Sequence, residues 1–472
     1  MRFPLLFASA AALALAACGN TAADNGGANQ SAAGDLSQVD DKSLEEQVTA
    51  ALDDAPKHGL TKDLFLKGEL PADEGRRRQA LLNAAKDYAS ALASGKTDPA
   101  KLRDVYTVPR PKVDIDSGLS KALSENKYRE WVNSLAPQTD EYRALGEAFA
   151  ALVNRSPDLP DDDIPGGGTI DKGDSDERLP LIVRNLKAQG YLPTGEQQGE
   201  TQTQGLDGTR YTPAIAQAVA RFQADSGLKP DGVIGSGTIE ALNQGPRDRA
   251  RTLAVAMERL RWLERNPPAT RIDVNTAGTY LDYYRDGQHA DRRKVVTGQP
   301  GWETPQLGSP IYQLVANPTW TVPDSIVEDE ISKKSGSWLA ANNFVRKDGR
   351  YVQQPGPKNA LGEVKFDMKN DHAIYLHDTP AKALFSQDER HRSHGCVRVE
   401  GALDFARTLA EADGVLDKFD KAMATGEETF VDLNTEIPVR LMYHTAYLGD
   451  DGRIHYAEDA YGWDNDIATA LG

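Results

Sequence analysis

Cysteine is almost absent: the 472 residues contain two, Cys18 and Cys396. That is too few for a disulfide framework, and the passage around each gives it a separate use that a mutual bridge would destroy. Positive charge is in deficit. With 54 Lys and Arg against 71 Asp and Glu the net charge is −17, so the surface repels nucleic acid and anionic headgroups, and no nucleic-acid partner is expected. Long apolar runs are missing beyond the N-terminus, and a mean hydropathy of −0.55 excludes a polytopic membrane protein. What is present, 39% hydrophobic and 26% charged residues, can bury ordinary soluble cores, and the length predicts roughly three domains at about 150 residues each.

The N-terminus reads as an address. Met1-Arg2-Phe3-Pro4 is weakly positive, and Leu5 to Ala17 follow as an apolar run too short to remain as a membrane span, as in an export signal. Leu15-Ala16-Ala17-Cys18 resembles the lipobox of bacterial lipoproteins. That resemblance implies a signal peptide over 1–17, lipidation of Cys18, and, with Gly19 next, sorting to the inner leaflet of the outer membrane by a multi-chain anchor. Residues 18–42, rich in Asn, Ala, Gly, Ser and Asp, are expected to form a disordered tether. A second break at 157–177 combines Asp161-Asp162-Asp163 with Gly166-Gly167-Gly168 and predicts a linker.

Between these breaks, residues 43–156 carry helical periodicity. Leu81, Leu82, Ala85, Tyr88, Ala89 and Leu92 recur at steps of three and four until Gly95 stops the helix. No catalytic spacing occurs there, so a helical scaffold is expected, with His58 at its surface or at a cap. In 178–245, Val219 and Phe222 share one helix face, and Asp231-Gly232 turns the chain into a further helix capped near Gly237-Thr238. This stretch resembles the small three-helix peptidoglycan-binding domain, interrupted by a Gln-, Gly- and Thr-rich insertion at 199–208. The resemblance implies contact with glycan strands; packing against neighbours alone is the alternative.

After a helix over Arg251–Glu264, alternation and β-branched residues take over in Arg271–Asn275, Thr279–Tyr284, Lys294–Thr297, Pro310–Asn317, His372–His377 and Ile437–Tyr447. Asp286-Gly287 reads as a hairpin turn. A β-rich domain is therefore expected over 250–448, with a partly helical capping insertion at 323–364 and a C-terminal extension at 449–472. The fold class is multidomain α+β.

Two segments of that domain carry chemistry: Ile374-Tyr375-Leu376-His377-Asp378-Thr379-Pro380 and Arg392-Ser393-His394-Gly395-Cys396-Val397-Arg398-Val399. A thiol nucleophile needs a base, a group that orients the base, and N–H donors for the oxyanion. His377, nineteen residues before Cys396, ends a strand from which it can return to the thiol. Gly395 lets the backbone turn so that its own N–H and that of Cys396 face one point. Two other readings use the same residues. His391, His394 and Cys396 have zinc-ligand chemistry, though at a spacing that matches no common zinc pattern, and Cys396 can serve as a small buried hydrophobe.

The His followed by Ser-His-Gly-Cys, a hydrophobic residue and Arg resembles the L,D-transpeptidase catalytic domain. Asn317-Pro318-Thr319-Trp320-Thr321-Val322-Pro323 narrows the likeness to the large periplasmic subgroup with a scaffold, a peptidoglycan-binding module and a capping insertion. The resemblance implies Cys396 as nucleophile, His377 as base, the Asp378 carbonyl as its orienter, and His394, Gly395 and Cys396 as the oxyanion loop. It further implies that Arg398 braces the loop or meets a substrate carboxylate, with a structural ion pair as the alternative. Trp320 and Tyr375 would line the cleft or simply pack.

The implied substrates are peptidoglycan stem peptides, a tetrapeptide donor and a diaminopimelate acceptor. The implied reaction is a 3→3 crosslink made with release of D-Ala, without metal or cofactor, and other cell-wall enzymes are candidate partners. Water or a lipoprotein lysine as acceptor would make the same site a carboxypeptidase or a protein-attaching enzyme. A non-catalytic wall tether is the rival from another class.

Overall fold

The computed structural model describes residues 36, 39–155, 163–193, 210–226 and 228–472. The signal peptide, Cys18, most of the tether, part of the linker and the 199–208 insertion lie outside the described residues. Among those described, no helix is long and apolar enough to cross a membrane.

The first body is helical. Its helices span Asp41–Leu52, Glu74–Ser94, Pro99–Leu102, Ile115–Ser124, Tyr128–Ser134 and Asp140–Arg155. Starts are set by aspartate caps: Asp40 accepts the Ser43 N–H and Asp73 the Arg76 N–H, each at 2.9 Å. Gly95 does end the long helix. Its φ is +93°, and a Cβ there would lie 2.6 Å from the Trp262 ring. The core gathers Leu81, Ala85, Tyr88 and Leu92 with Leu253, Met257 and Trp262 of the helix Pro246–Trp262, and with Ile467 and Leu471 of the C-terminal helix Asp464–Leu471. The helical body is thus built from both ends of the chain.

His58 is not at the surface. It is buried between Asn133 (3.2 Å) and the Tyr142 hydroxyl (3.3 Å), and burial together with the nearby Arg261 charge lowers its pKa to about 4. A solvated placement failed because the ring has two polar partners that only tertiary packing supplies.

Helices Leu179–Ala188, Pro213–Asp225 and Ser236–Asn243 make the second body, with Val219 and Phe222 fully buried. Gly232 turns at φ +68°, and the last helix is capped at Gly235, slightly earlier than the sequence indicates.

The third body is a ten-stranded mixed sheet with a small appended sheet. Strands β1 (Arg271–Asn275), β2 (Tyr280–Arg285) and β3 (Gln288–Gly298) form a meander, and the Asp286-Gly287 turn takes φ +52° and +81°, as a two-residue hairpin requires. β4 (Ile311–Ala316) leads into the insertion, where β5 (Trp320–Thr321), β6 (Phe344–Lys347) and β7 (Arg350–Gln353) pair around two short helices. β8 (Val364–Met368), β9 (Leu376–His377), β10 (His391–Ser393), β11 (Val397–Val399), β12 (Thr429–Ile437) and β13 (Val439–Met442) complete the main sheet in the order β12-β4-β8-β9-β11-β3-β2-β1-β13, with β10 on β3. β14 (Ala446–Leu448) and β15 (Ile454–Tyr456) form a separate hairpin.

Helices Ala402–Ala412 and Leu416–Ala424 contribute Phe405, Leu409 and Phe419 to the core beneath the sheet. One expected strand is shorter than its β-branched pattern indicates: of His372–His377 only Leu376–His377 pairs. Asn370 diverts the remainder, because its side chain accepts the His372 and Ile374 N–H groups and donates to the Ile374 carbonyl at 2.8 Å.

Candidate active site

β9 and β11 lie side by side and parallel, with Leu376 opposite Val397 and His377 opposite Arg398. The Val397 N–H donates to the Tyr375 carbonyl at 3.2 Å. Sheet register therefore sets Cys396, the residue before β11, level with Tyr375, two residues before His377. Cys396 and His377 line a cavity of about 600 Å³, together with His394, Arg398, Tyr375 and Trp320. Asp378 and Gly395 lie behind its wall rather than along it. The insertion closes the opposite side with Ile326, Glu330, Ile331, Trp338 and Phe344.

His377 is buried, and its Nδ1 contacts the Asp378 carbonyl. A carbonyl only accepts, so Nδ1 carries the proton and Nε2 keeps its lone pair. Burial, with the Arg398 charge second, lowers the imidazole pKa to about 3, which leaves the ring neutral throughout the working range. Asp378 is held in turn: its carboxylate accepts the Glu363 N–H at 3.0 Å and pairs with Lys382. Gly362 makes room for it, since a Cβ there would come within 2.3 Å of the carboxylate.

Burial pushes the Cys396 thiol up, while hydrogen bonding with Tyr375 and the charges of Lys365 and Arg398 pull the other way. At rest the cavity accordingly holds a neutral thiol and a neutral imidazole. The Sγ lies 3.6 Å from the carbonyl of Ala373, a residue in the left-handed region at φ +55°. Tyr375 is raised well above the usual phenol value, chiefly by burial and next by the cysteine, so its hydroxyl stays protonated. The Lys365 ammonium sits 4.4 Å from the Tyr375 ring centre.

The loop before the thiol is tied internally. The Ser393 hydroxyl donates to the Cys396 carbonyl at 2.6 Å and accepts the Gly395 N–H at 3.2 Å. Gly395 takes φ +104°, which explains the glycine. Its N–H is spent on Ser393, so the Gly395 and Cys396 N–H groups do not both face the cavity. Among the described residues, the Cys396 N–H meets no protein acceptor.

His394 bonds Glu330 of the insertion at 3.1 Å and packs edge-on against Trp302 at 4.9 Å. His391 commits one ring nitrogen to Glu389 (3.0 Å) and the other to the Thr276 carbonyl (3.0 Å). The three sequence-spaced zinc candidates therefore point to separate partners. Arg398 is mostly buried with its Nε unpartnered among the described residues, and no carboxylate pairs with it as a structural ion pair would require.

Ser393, Thr304, Ala373 and Glu330 were not marked by the spacing of chemical groups. Ser393 stands in the motif, yet its two-way hydroxyl bond depends on the turn at Gly395. Glu330 reaches the loop only because the insertion folds over it.

Residues 269–419 match the model for the L,D-transpeptidase catalytic domain, a family known as YkuD. These residues form an L,D-transpeptidase-like catalytic domain. Residues 39–149 match a scaffold domain, and residues 175–242 match a model described as "Putative peptidoglycan binding domain". A curated Haemophilus influenzae protein described as "Putative L,D-transpeptidase" is 30% identical over 223 residues, covering 42% of this chain and 45% of that one. The chain thus spans under half the length of the curated relative it matches. Among solved structures, an L,D-transpeptidase from Mycobacterium smegmatis is 13% identical, with a TM-score of 0.21 over 37% of this chain and 58% of the other. One from Stackebrandtia nassauensis is 14% identical, with a TM-score of 0.23 over 59% of this chain and 96% of the other.

Proposed function

We propose that the protein is a cysteine acyltransferase that forms 3→3 peptidoglycan crosslinks. The observation that carries this is that an Nδ1-protonated His377, held by the Asp378 carbonyl, lines the same cavity as the Cys396 thiol and Arg398.

In the proposed reaction His377 Nε2 takes the thiol proton as sulfur attacks the diaminopimelate carbonyl of a tetrapeptide stem. The oxyanion gathers at the Cys396 N–H. Collapse expels D-Ala, whose amine receives the proton from His377, and leaves a thioester. The side-chain amine of a second diaminopimelate then attacks, loses a proton to His377, and releases the crosslinked product as the thiol is restored. Every atom and charge is accounted for, and neither ATP nor metal takes part.

The insertion lines one side of the 600 Å³ cavity, and the reading takes the amine of a second stem rather than water as the acceptor. Incubating the protein with tetrapeptide muropeptides and reading the products by mass tests this. A dimer with loss of D-Ala is expected. Tripeptide alone would establish a carboxypeptidase instead, and unchanged donor would establish a tether.

The same reading places the protein in the periplasm, held by lipid at Cys18 to the outer membrane, with residues 178–245 contacting glycan. Cys18→Ala should shift the protein from the membrane fraction to the soluble fraction while leaving muropeptide turnover unchanged, because Cys18 is far in sequence from His377 and Cys396. Membrane retention of that variant, measured by fractionation, would reject the anchor.

A further inference from the structure

The C-terminal segment beyond β15 lies outside the matched catalytic residues, yet it reaches the back of the nucleophile loop. The Tyr461 hydroxyl donates to the Gly298 carbonyl at 2.7 Å and accepts the Thr304 N–H at 3.3 Å. It thereby clamps both ends of the turn that follows β3. Thr304 is fully buried. Its hydroxyl accepts the Gly298 N–H at 2.9 Å and donates to the Gly395 carbonyl at 2.8 Å. The turn is tight enough that a Cβ on Gly298 would fall 2.0 Å from the Trp302 carbonyl.

The Gly395 carbonyl and the Cys396 N–H belong to one peptide unit. In a trans peptide these two groups point in opposite directions, and the described residues contain no cis bond. Whatever holds the carbonyl therefore aims the N–H. With the Gly395 N–H spent on Ser393, the Cys396 N–H is a loop donor still available for an oxyanion among the described residues.

Tyr461 is itself fixed. Its ring stacks on Tyr443 at 4.9 Å and packs edge-on against His391 at 5.5 Å, and its N–H donates to the Tyr443 hydroxyl at 3.1 Å. That hydroxyl donates to Asp459 at 2.8 Å. Three residues on, Asp464 bonds Arg259 at 2.5 Å and Thr445 at 2.7 Å, and the helix it begins is rooted in the helical core.

We propose that Tyr461 is a positioning residue for acyl transfer: through Thr304 it fixes the Gly395–Cys396 peptide plane and so aims the oxyanion donor. The proposal rests on the acyl-transfer reading of the site. It makes the C-terminal segment a working part of the active site, and it gives the helical body a hydrogen-bonded route to the nucleophile loop.

The test uses the full chain. Tyr461→Phe keeps the ring and its stacking but removes both hydroxyl contacts. It should lower kcat about tenfold with KM within about twofold, because a misaimed donor weakens the transition state more than the bound substrate. Thr304→Val should match it, the double variant should lose no more than either alone, and Thr304→Ser should retain wild-type kcat. Amide exchange at Gly395 to Val397 should quicken in Tyr461→Phe while the thermal midpoint holds.

Unchanged exchange at those amides overturns the proposal, as does a kcat loss that appears only with a fallen midpoint. If wild-type protein never acylates, the transpeptidase reading fails by itself. The exchange comparison then still decides whether Tyr461 holds the loop.

Discussion

Cys396→Ala should form no covalent adduct with a carbapenem, and His377→Ala should form it about a thousandfold more slowly than the parent protein, as expected when a nucleophile loses its base. The two losses should not add, since the base has no function without the thiol. Intact mass decides the first point and stopped-flow acylation the second. The pH dependence follows from the resting protonation states. With His377 lowered to about 3 and the thiol raised, the imidazole is unprotonated and the thiol protonated across the neutral range.

The sign is then fixed. A depressed histidine pKa moves the acid limb of the rate down to about pH 3, and a raised thiol pKa moves any thiolate-driven rise above the ordinary cysteine range. Acylation should vary by less than about twofold between pH 5 and pH 8 if the neutral pair carries the reaction. A limb centred near 6.5 would instead show an ordinary solvated histidine or a preformed ion pair, and would reject the neutral-pair mechanism.

The chemistry of the site was more legible in the sequence than its support. His377 and Cys396 could be marked because thiol and imidazole are rare residue types in this sequence, whereas Arg398 was marked by the family resemblance. The Asp286-Gly287 hairpin was legible for a local reason, since both residues tolerate positive φ.

What stayed hidden depends on contacts between segments distant in sequence. Tyr461 meets Thr304 across 157 residues, and Glu330 meets His394 only after the insertion folds back. The short β9 strand was misread because alternation in His372–Tyr375 looks like pairing, whereas Asn370 supplies the competing local bonds. Packing of Ile467 and Leu471 beside Trp262 likewise leaves no local trace. Amphipathic periodicity shows that a helix has a buried face but not which face covers it.

Arg398→Met should raise the KM for a tetrapeptide donor about 30- to 100-fold while changing kcat far less, the scale on which a desolvated charge pair is lost. Arg398 stands on β11 two residues beyond the thiol and opposite His377, mostly buried with an unpartnered Nε. Glu330 acts on Arg398 through its charge without forming an ion pair, and both line the cavity, which leaves the guanidinium able to meet an anion brought by the substrate. In the proposed reaction the terminal D-Ala carboxylate is the group next to the scissile bond.

Removing the charge has two further effects that partly cancel. Arg398 lowers the pKa of both His377 and Cys396, so its loss gives a stronger base and a less acidic thiol. The decisive comparison uses a donor whose terminal carboxylate is amidated. On that donor wild-type protein should already show the raised KM, and Arg398→Met should cost little more, because the partner of the pair is gone. If Arg398 serves only to brace the loop, the substitution would instead lower kcat equally for both donors and reduce the thermal midpoint, with no coupling to the carboxylate.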